Sequence, residues 1–221
     1  MYFISQKSEE RREQMKTKTQ LYQIITGIFV ACLLVSNILA SKTFTLGSII
    51  LPTAVIIFPL VYIVNDVLAE VFGFKKASNV IILGFMTNLF AVIAYTVAIA
   101  LPAPIFATET ADAFAVVLGS TWRMLLASFA AYLIGSFVNA YVMVWLKAKA
   151  EKHLMIRCML STLIGEGLDA LIFITIAFVG TMAMTDLLTM IVAQALFKTV
   201  FEVIVYPVTR IVIDKAKSLE E

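Results

Sequence analysis

Carboxylates stand where this chain is otherwise oily. Asp66 and Glu70 lie in IIFPLVYIVNDVLAEVFGFKKAS (residues 56–78), Glu166 and Asp169 in STLIGEGLDALIF (161–173), and Glu202 with Lys198 in AQALFKTVFEVIVYP (193–207). A charge facing lipid costs several kcal/mol, so such groups are kept where they face a bundle interior and meet a partner, an ion or a ligand. Asp66 and Glu70, four apart, share one helical face, and Glu166 and Asp169, three apart, share another. Gly165 and Gly167 flank the second pair and admit a neighbouring backbone or a ligand. Gln194, Lys198, Glu202 and Tyr206 recur at a spacing of four, a polar stripe that must face inward. Plainer readings stand beside these. Glu70 could snorkel to the headgroups and tie the helix end to Lys75 and Lys76, and Lys198 could simply neutralise Glu202. Acid exceeds base in these segments, which suits a ligand rich in hydrogen-bond donors, or protons carried on buried carboxylates. Asn37, Asn88, Ser136 and Asn139 add neutral polar groups on further helices, and Arg123 lies at the outer mouth.

The elements that position these groups follow from composition. Hydrophobic residues make up 61% of the 221, charged residues 14%, and the mean hydropathy is +0.96, well outside the range of an ordinary soluble domain. The expected fold class is an all-α integral membrane protein, a bundle of six transmembrane helices. Apolar runs of about 20 residues, enough to cross a core about 30 Å thick, fall at 21–41, 49–71, 79–101, 122–146, 160–182 and 187–210. The chain then divides into a cytosolic N-terminal segment (1–20), a transmembrane domain (21–213) and a cytosolic tail (214–221). Alternate loops hold fourteen of the seventeen Lys and Arg, which places both termini in the cytoplasm of a multi-pass plasma (inner) membrane protein. The opposite side has only Lys42 and Arg123, and Lys198 is mid-span. No cleaved signal peptide is expected, because no short apolar region precedes the first long span. Three spans in each half permit an inverted repeat, although no internal sequence match supports one.

Trp122 and Trp145 bracket the fourth span as interfacial anchors or packing aromatics. The outer segment 102–121 suits a short surface helix. Ala127, Ala131, Gly135 and Asn139 form a small-residue stripe, either a seam within the monomer or the contact of a homodimer. Cys32 and Cys158 read as buried thiols rather than a disulfide framework. The chain has no phosphate-binding glycine loop, nucleophile elbow or zinc-protease helix, and His153 lies alone in a basic loop. No catalytic residue, resident metal, cofactor or nucleic-acid partner is expected.

The segments FPLVYIVNDVLAEVFGFKKA, WRMLLASFAAYLIGSFVN, STLIGEGLDALIF and ALFKTVFEVIVYP together resemble the queuosine precursor transporter family, which is grouped with vitamin uptake transporters. The resemblance runs from about Ser36 to near the end of the chain, and Asp66-x-x-x-Glu70-x-Phe72-Gly73 is its most specific part. It implies six helices and uptake of 7-cyano- or 7-aminomethyl-7-deazaguanine, or queuine, for tRNA modification. Asn37, Asp66, Arg123, Asp169 and Lys198 match the family pattern most firmly. Glu166 and Gln194 join them as expected substrate-binding residues, with Glu70 and Glu202 as coupling or gating groups. A guanine-like edge presents N1–H and an exocyclic amine side by side, which one carboxylate, from Glu166 or from Asp169, can accept. Phe58, Tyr62 and Phe173 are the candidates to stack on the ring. The competing expectations are a substrate-binding subunit of an ATP-driven importer, which usually shows an Ala-x-x-x-Ala motif absent from TGIFVACLLVSNILAS, and a membrane enzyme holding a metal among its acids, which would need His or Cys among them, where none is expected.

Overall fold

The computed structural model describes residues 2–46, 49–119, 122–149, 151–180 and 183–218, with side chains described in these except at 2–15, 43, 45–46, 49–52, 122, 124 and 186. Among the described residues seven helices run in chain order: α1 (Tyr2–Leu39), α2 (Phe58–Phe72), α3 (Phe74–Ala100), α4 (Thr108–Leu118), α5 (Trp122–Lys149), α6 (Leu154–Phe178) and α7 (Met184–Ser218). Five of them, α1 from Lys16, α3, α5 from Leu125, α6 and α7 from Leu187, carry segments long and apolar enough to cross a membrane. The chain is therefore a helical membrane protein. Lipid-facing residues follow the same spacing as the polar ones: Leu188, Val192, Leu196, Val200, Ile204 and Val208 line the exposed side of α7, opposite the stripe that carries Lys198 and Glu202.

The second expected span differs from expectation. Residues 49–71 do not form one helix. Strands β1 (Thr43–Leu46) and β2 (Ile49–Pro52) pair antiparallel, Thr43 opposite Pro52 and Leu46 opposite Ile49. A single 3-10 turn (Thr53–Ile56) follows, and α2 begins only at Phe58. Two prolines account for this. Pro52 lacks the N–H that an interior helical position uses, whereas Pro59 sits in the first turn of α2, where that N–H has no intrahelical partner. At 1.5 Å per residue the 15-residue α2 is about 22 Å long, shorter than a bilayer core.

α2 is also the centre of the bundle. Pro59, Val61, Tyr62, Ile63 and every residue from Asn65 to Glu70 are buried, and α1, α3, α5, α6 and α7 all pack against it. The core around it joins Phe29 and Leu33 of α1, Val61 and Leu68 of α2, Ile81 of α3, Met143 of α5, Cys158 of α6 and Ile213 of α7. This placement explains how a short helix can carry Asn65, Asp66 and Glu70: none of the three faces lipid.

α5 and α6 form the closest helix pair. A Cβ added to Gly165 would meet Asn139 Cβ at 2.6 Å, and one added to Gly135 would meet the Gly165 carbonyl oxygen at 2.8 Å. Backbones this close require glycine on both sides. Ala127, Ala131, Gly135 and Asn139 are all buried within the monomer. Packing within the monomer, one of the two readings of this stripe, accounts for the small residues at Ala127, Ala131 and Gly135.

The short surface helix expected within residues 102–121 is present as α4, an exposed 11-residue helix. Trp145 lies at the far end of α5 with the Lys149 ammonium 3.9 Å from its ring centroid, a cation–π contact suited to an interface. The side chain of Trp122, its expected counterpart, lies outside the described residues. Cys32 and Cys158 are free thiols; Cys158 is buried and Cys32 half-buried.

Candidate functional site

α2, α6 and α7 each turn a polar stripe toward the bundle axis, and the three stripes meet in layers. In the first layer, near the β-hairpin end of α2, Lys198 Nζ donates to Asp169 Oδ2 at 3.1 Å. The same ammonium lies 4.5 Å from the Phe58 ring centroid and 5.6 Å from that of Tyr62. A cation desolvated in this way is held by one carboxylate and two ring faces together. Glu166, a turn away on α6, is fully buried, and neither of its carboxylate oxygens has a hydrogen-bond partner among the described residues. The Tyr62 hydroxyl is likewise buried and unpartnered among them.

In the middle layer, the carboxylates of Asp66 and Glu202 and the thiol of Cys158 offer atoms that all lie within 4.8 Å of one another. Ser161 faces Asp66, its Oγ 3.3 Å from Oδ1, although that hydroxyl also lies 2.7 Å from the Arg157 carbonyl oxygen. Both Glu202 oxygens are buried without a donor among the described residues. Beside this layer, Asn65 Nδ2 donates to the Ser136 carbonyl (3.0 Å) and to Asn139 Oδ1 (2.7 Å), tying α2 to α5.

In the third layer, Glu70 is a hub. Both terminal guanidinium nitrogens of Arg157 donate to its carboxylate, the second at 3.1 Å, and Lys217 Nζ donates to it as well. Lys147 lies 3.6 Å from it and also donates to the Glu70 backbone carbonyl at 2.6 Å. The ends of α2, α5, α6 and α7 are joined here by one buried carboxylate.

Three expectations need correction. Glu70 does not snorkel and is not paired with Lys75 or Lys76; it is buried and held by Arg157, Lys217 and Lys147, because the neighbouring ends of α5, α6 and α7 bring these cations over it. Lys198 is not paired with Glu202 one turn away but with Asp169 on α6, so the ion pair is interhelical. Cys158 does stand among acids, since the rotation of α6 brings it to Asp66 and Glu202, both far from it in sequence.

The remaining candidates are placed apart. Arg123 is exposed and donates from Nε to the Ile176 carbonyl and from Nη2 to the Val179 carbonyl, capping the last turn of α6. Asn37 donates to Asn88 Oδ1 at 2.9 Å. Both asparagines, with Phe173, Tyr95 and Phe129, line a cavity of ≈ 330 Å³ between α1, α3, α4, α5 and α6. Gln194 is half-buried on α7. The first layer therefore unites Phe58, Tyr62, Glu166, Asp169 and Lys198, and Asp66 and Glu202 form a separate middle layer, with Asn37 and Phe173 in a neighbouring cavity, Glu70 in a network of its own and Arg123 at a helix end. Sequence reasoning misses Arg157, which reads as a loop cation. The signal is present: Arg157, Ser161, Gly165, Asp169 and Phe173 recur every four residues along α6.

No curated protein and no solved structure matches this chain. Residues 52–212, from the end of the hairpin through most of α7 and including every layer of the site except Lys217, match the family described as "Putative vitamin uptake transporter". That match covers well over half of the sequence, and the chain belongs to the vitamin uptake transporter family.

Proposed function

We propose that this chain imports 7-deazaguanine precursors of queuosine (7-cyano- or 7-aminomethyl-7-deazaguanine, or queuine) as a self-sufficient secondary transporter. The observation that carries this reading is the pairing of a buried, unpartnered carboxylate, Glu166, with a lysine held between Asp169 and the faces of Phe58 and Tyr62. A guanine-like lactam needs those groups: an acceptor pair for N1–H and the exocyclic amine, a cationic donor for O6, and flat apolar surfaces for the ring. Glu166 takes the donor edge, Lys198 the carbonyl oxygen, and Asp169 holds Lys198 in place.

The orientation that suits uptake puts both termini, the Lys75–Lys76 turn and the Glu70 hub in the cytoplasm, with α4 and the Asn37 cavity outside. Four helix ends are then tied together on the cytoplasmic side while a cavity large enough for a bicyclic base lies toward the outside. This is an arrangement for loading from outside, and release inward requires the Glu70 pairs to part.

Two measurements test the reading. Cells lacking other uptake routes and expressing this chain alone should accumulate labelled 7-cyano-7-deazaguanine, with competition by 7-aminomethyl-7-deazaguanine or queuine and little by adenine. Absence of uptake without a separate energising module would overturn self-sufficiency. With purified protein, Glu166→Gln and Asp169→Asn should each weaken binding at least about tenfold, the loss expected when a charge-assisted hydrogen bond worth roughly 1.5–3 kcal/mol is removed. Unchanged affinity in both would place the ligand elsewhere.

Orientation has its own check. In a background without Cys32 and Cys158, an impermeant thiol reagent added to intact cells should label Thr110→Cys, on exposed α4, but not Lys149→Cys, at the end of α5. The reverse pattern would invert the topology.

A further inference from the structure

The Asp66–Glu202 layer has no part in the recognition just described, yet it contains two fully buried carboxylates. Asp66 is 0% and Glu202 2% exposed, and their oxygens and Cys158 Sγ all lie within 4.8 Å of one another. Two carboxylates so close in a low-dielectric interior cannot both be ionised without a cation between them. Among the described residues, the surrounding groups supply none. On α2, the next charge is Glu70, already held by Arg157, Lys217 and Lys147. On α6, Cys158 and Glu166 face the pair, and Arg157 is engaged with Glu70. On α7, Lys198 is engaged with Asp169, and Tyr206 lies beyond Cys158. α5 presents only Asn139 and Met143 here, neither of them charged.

A second observation points to a ligand. Thr162 Oγ1 is buried beside Glu202 with no hydrogen-bond partner among the described residues, and both Glu202 oxygens lack a donor. The layer thus has acceptor sites to spare and only neutral groups near them, the Ser161 hydroxyl and the Asn139 amide beside Asp66 and the Thr162 hydroxyl beside Glu202. A metal fits less well. Cys158, Asp66 and Glu202 are three donors, one short of the four with which zinc closes a structural site, and no described histidine stands among them. Sodium and magnesium favour oxygen sets without a thiol. A proton satisfies two facing carboxyl groups with one O–H between them.

We propose that the Asp66–Glu202 pair is the proton-coupling site of this transporter, one layer below the Asp169–Lys198 subsite; the coupling rests on the uptake reading, whereas the proton site does not. A proton from the external water bonds to one carboxylate oxygen of the pair, crosses with the substrate, and leaves to cytoplasmic water when the Glu70 hub opens. One O–H bond forms and one breaks, and nothing is oxidised or reduced. Glu202→Gln removes the second negative charge, so Asp66 is stable as a carboxylate accepting from the new amide and no longer needs the proton.

The first experiment needs no substrate. Infrared difference spectra of the purified full chain, between neutral and strongly alkaline pH, should show the carbonyl band of a protonated buried carboxylic acid. That band should shrink in Asp66→Asn and in Glu202→Gln, and persist in Glu109→Gln, an exposed control on α4. The second uses proteoliposomes at zero membrane voltage and 7-cyano-7-deazaguanine as probe. A gradient of one pH unit, alkaline inside, should concentrate the probe roughly tenfold if one proton moves with each molecule, and a sodium gradient should not. In Glu202→Gln the pH-driven accumulation should fall to the equilibrium ratio while exchange of internal for external probe continues. An identical infrared band in wild type and both variants, accumulation driven by sodium, or a stoichiometric metal lost in Cys158→Ala would each overturn the proposal. Wild-type protein that shows the band but exchanges no deazaguanine would sink the substrate reading and leave the proton site standing.

Discussion

Lys198→Met is expected to reduce precursor uptake to background while the protein still reaches the membrane. Methionine fills nearly the same space over Phe58 and Tyr62, so packing against the two rings is retained. What is lost is the ammonium, and with it the donor to the substrate oxygen and the charge opposite Asp169. A role limited to neutralising Asp169 makes a different prediction. In that case Lys198→Met combined with Asp169→Asn, which removes both charges of the buried pair, should restore transport, because the uncompensated carboxylate is the main cost of the single change. The binding role requires the double variant to remain inactive, with surface amount and thermal stability recovered. Labelled-precursor uptake, normalised to membrane protein, separates the two outcomes.

Glu70→Gln is expected to be the most destabilising single change among the acids. Glu70 is the carboxylate that compensates Arg157, itself only 1% exposed. Removing one partner of a buried pair leaves the other charge stranded, at a cost of about 3–5 kcal/mol. For a chain of this length that corresponds to a fall of roughly 6–20 °C in the melting temperature of the detergent-purified protein. A substantial part of the loss should return in Glu70→Gln combined with Arg157→Met, which removes both charges and keeps an apolar side chain in place of the guanidinium. A shift below about 2 °C in the single variant would mean that Lys147 and Lys217 draw water into the hub and that the pair is solvated in the working protein. Transport should report the same residue differently. A hub that must open for release is weakened in Glu70→Gln, so exchange should be leaky rather than simply slow.

Several elements of this protein are legible in its residue order alone. Helical periodicity identifies the inward stripe of α7, and Lys198 and Glu202 are indeed buried while the residues between them on the other side are exposed. Apolar length identifies α3, α5, α6 and α7, although the start of α6 lies six residues before and the end of α7 eight residues beyond the expected bounds, and the composition of residues 102–121 identifies a short surface helix. The first boundary is less legible: α1 is one continuous helix from Tyr2, with no break at residue 20. The second span reads as helix from 49, because hydropathy does not distinguish an apolar strand from an apolar helix and only the two prolines hint at the change.

What the sequence by itself determined is which residues share a face, since spacing of three or four along a rigid helix sets their common direction whatever surrounds it. It also determined the family and the membrane-spanning character, both carried by residue types in fixed order. Only the tertiary structure decided who meets whom across helices: Lys198 with Asp169 rather than Glu202, Glu70 with Arg157 rather than Lys75, Cys158 with Asp66 and Glu202. Those pairings depend on the rotation and height of each helix relative to α2. The close approach of Gly135 and Gly165 helps set them for α5 and α6, and the hairpin that shortens α2 and brings it to the centre of the bundle sets them for the rest. Neither effect has a period that can be read along one helix, because each arises from packing between segments far apart in the chain.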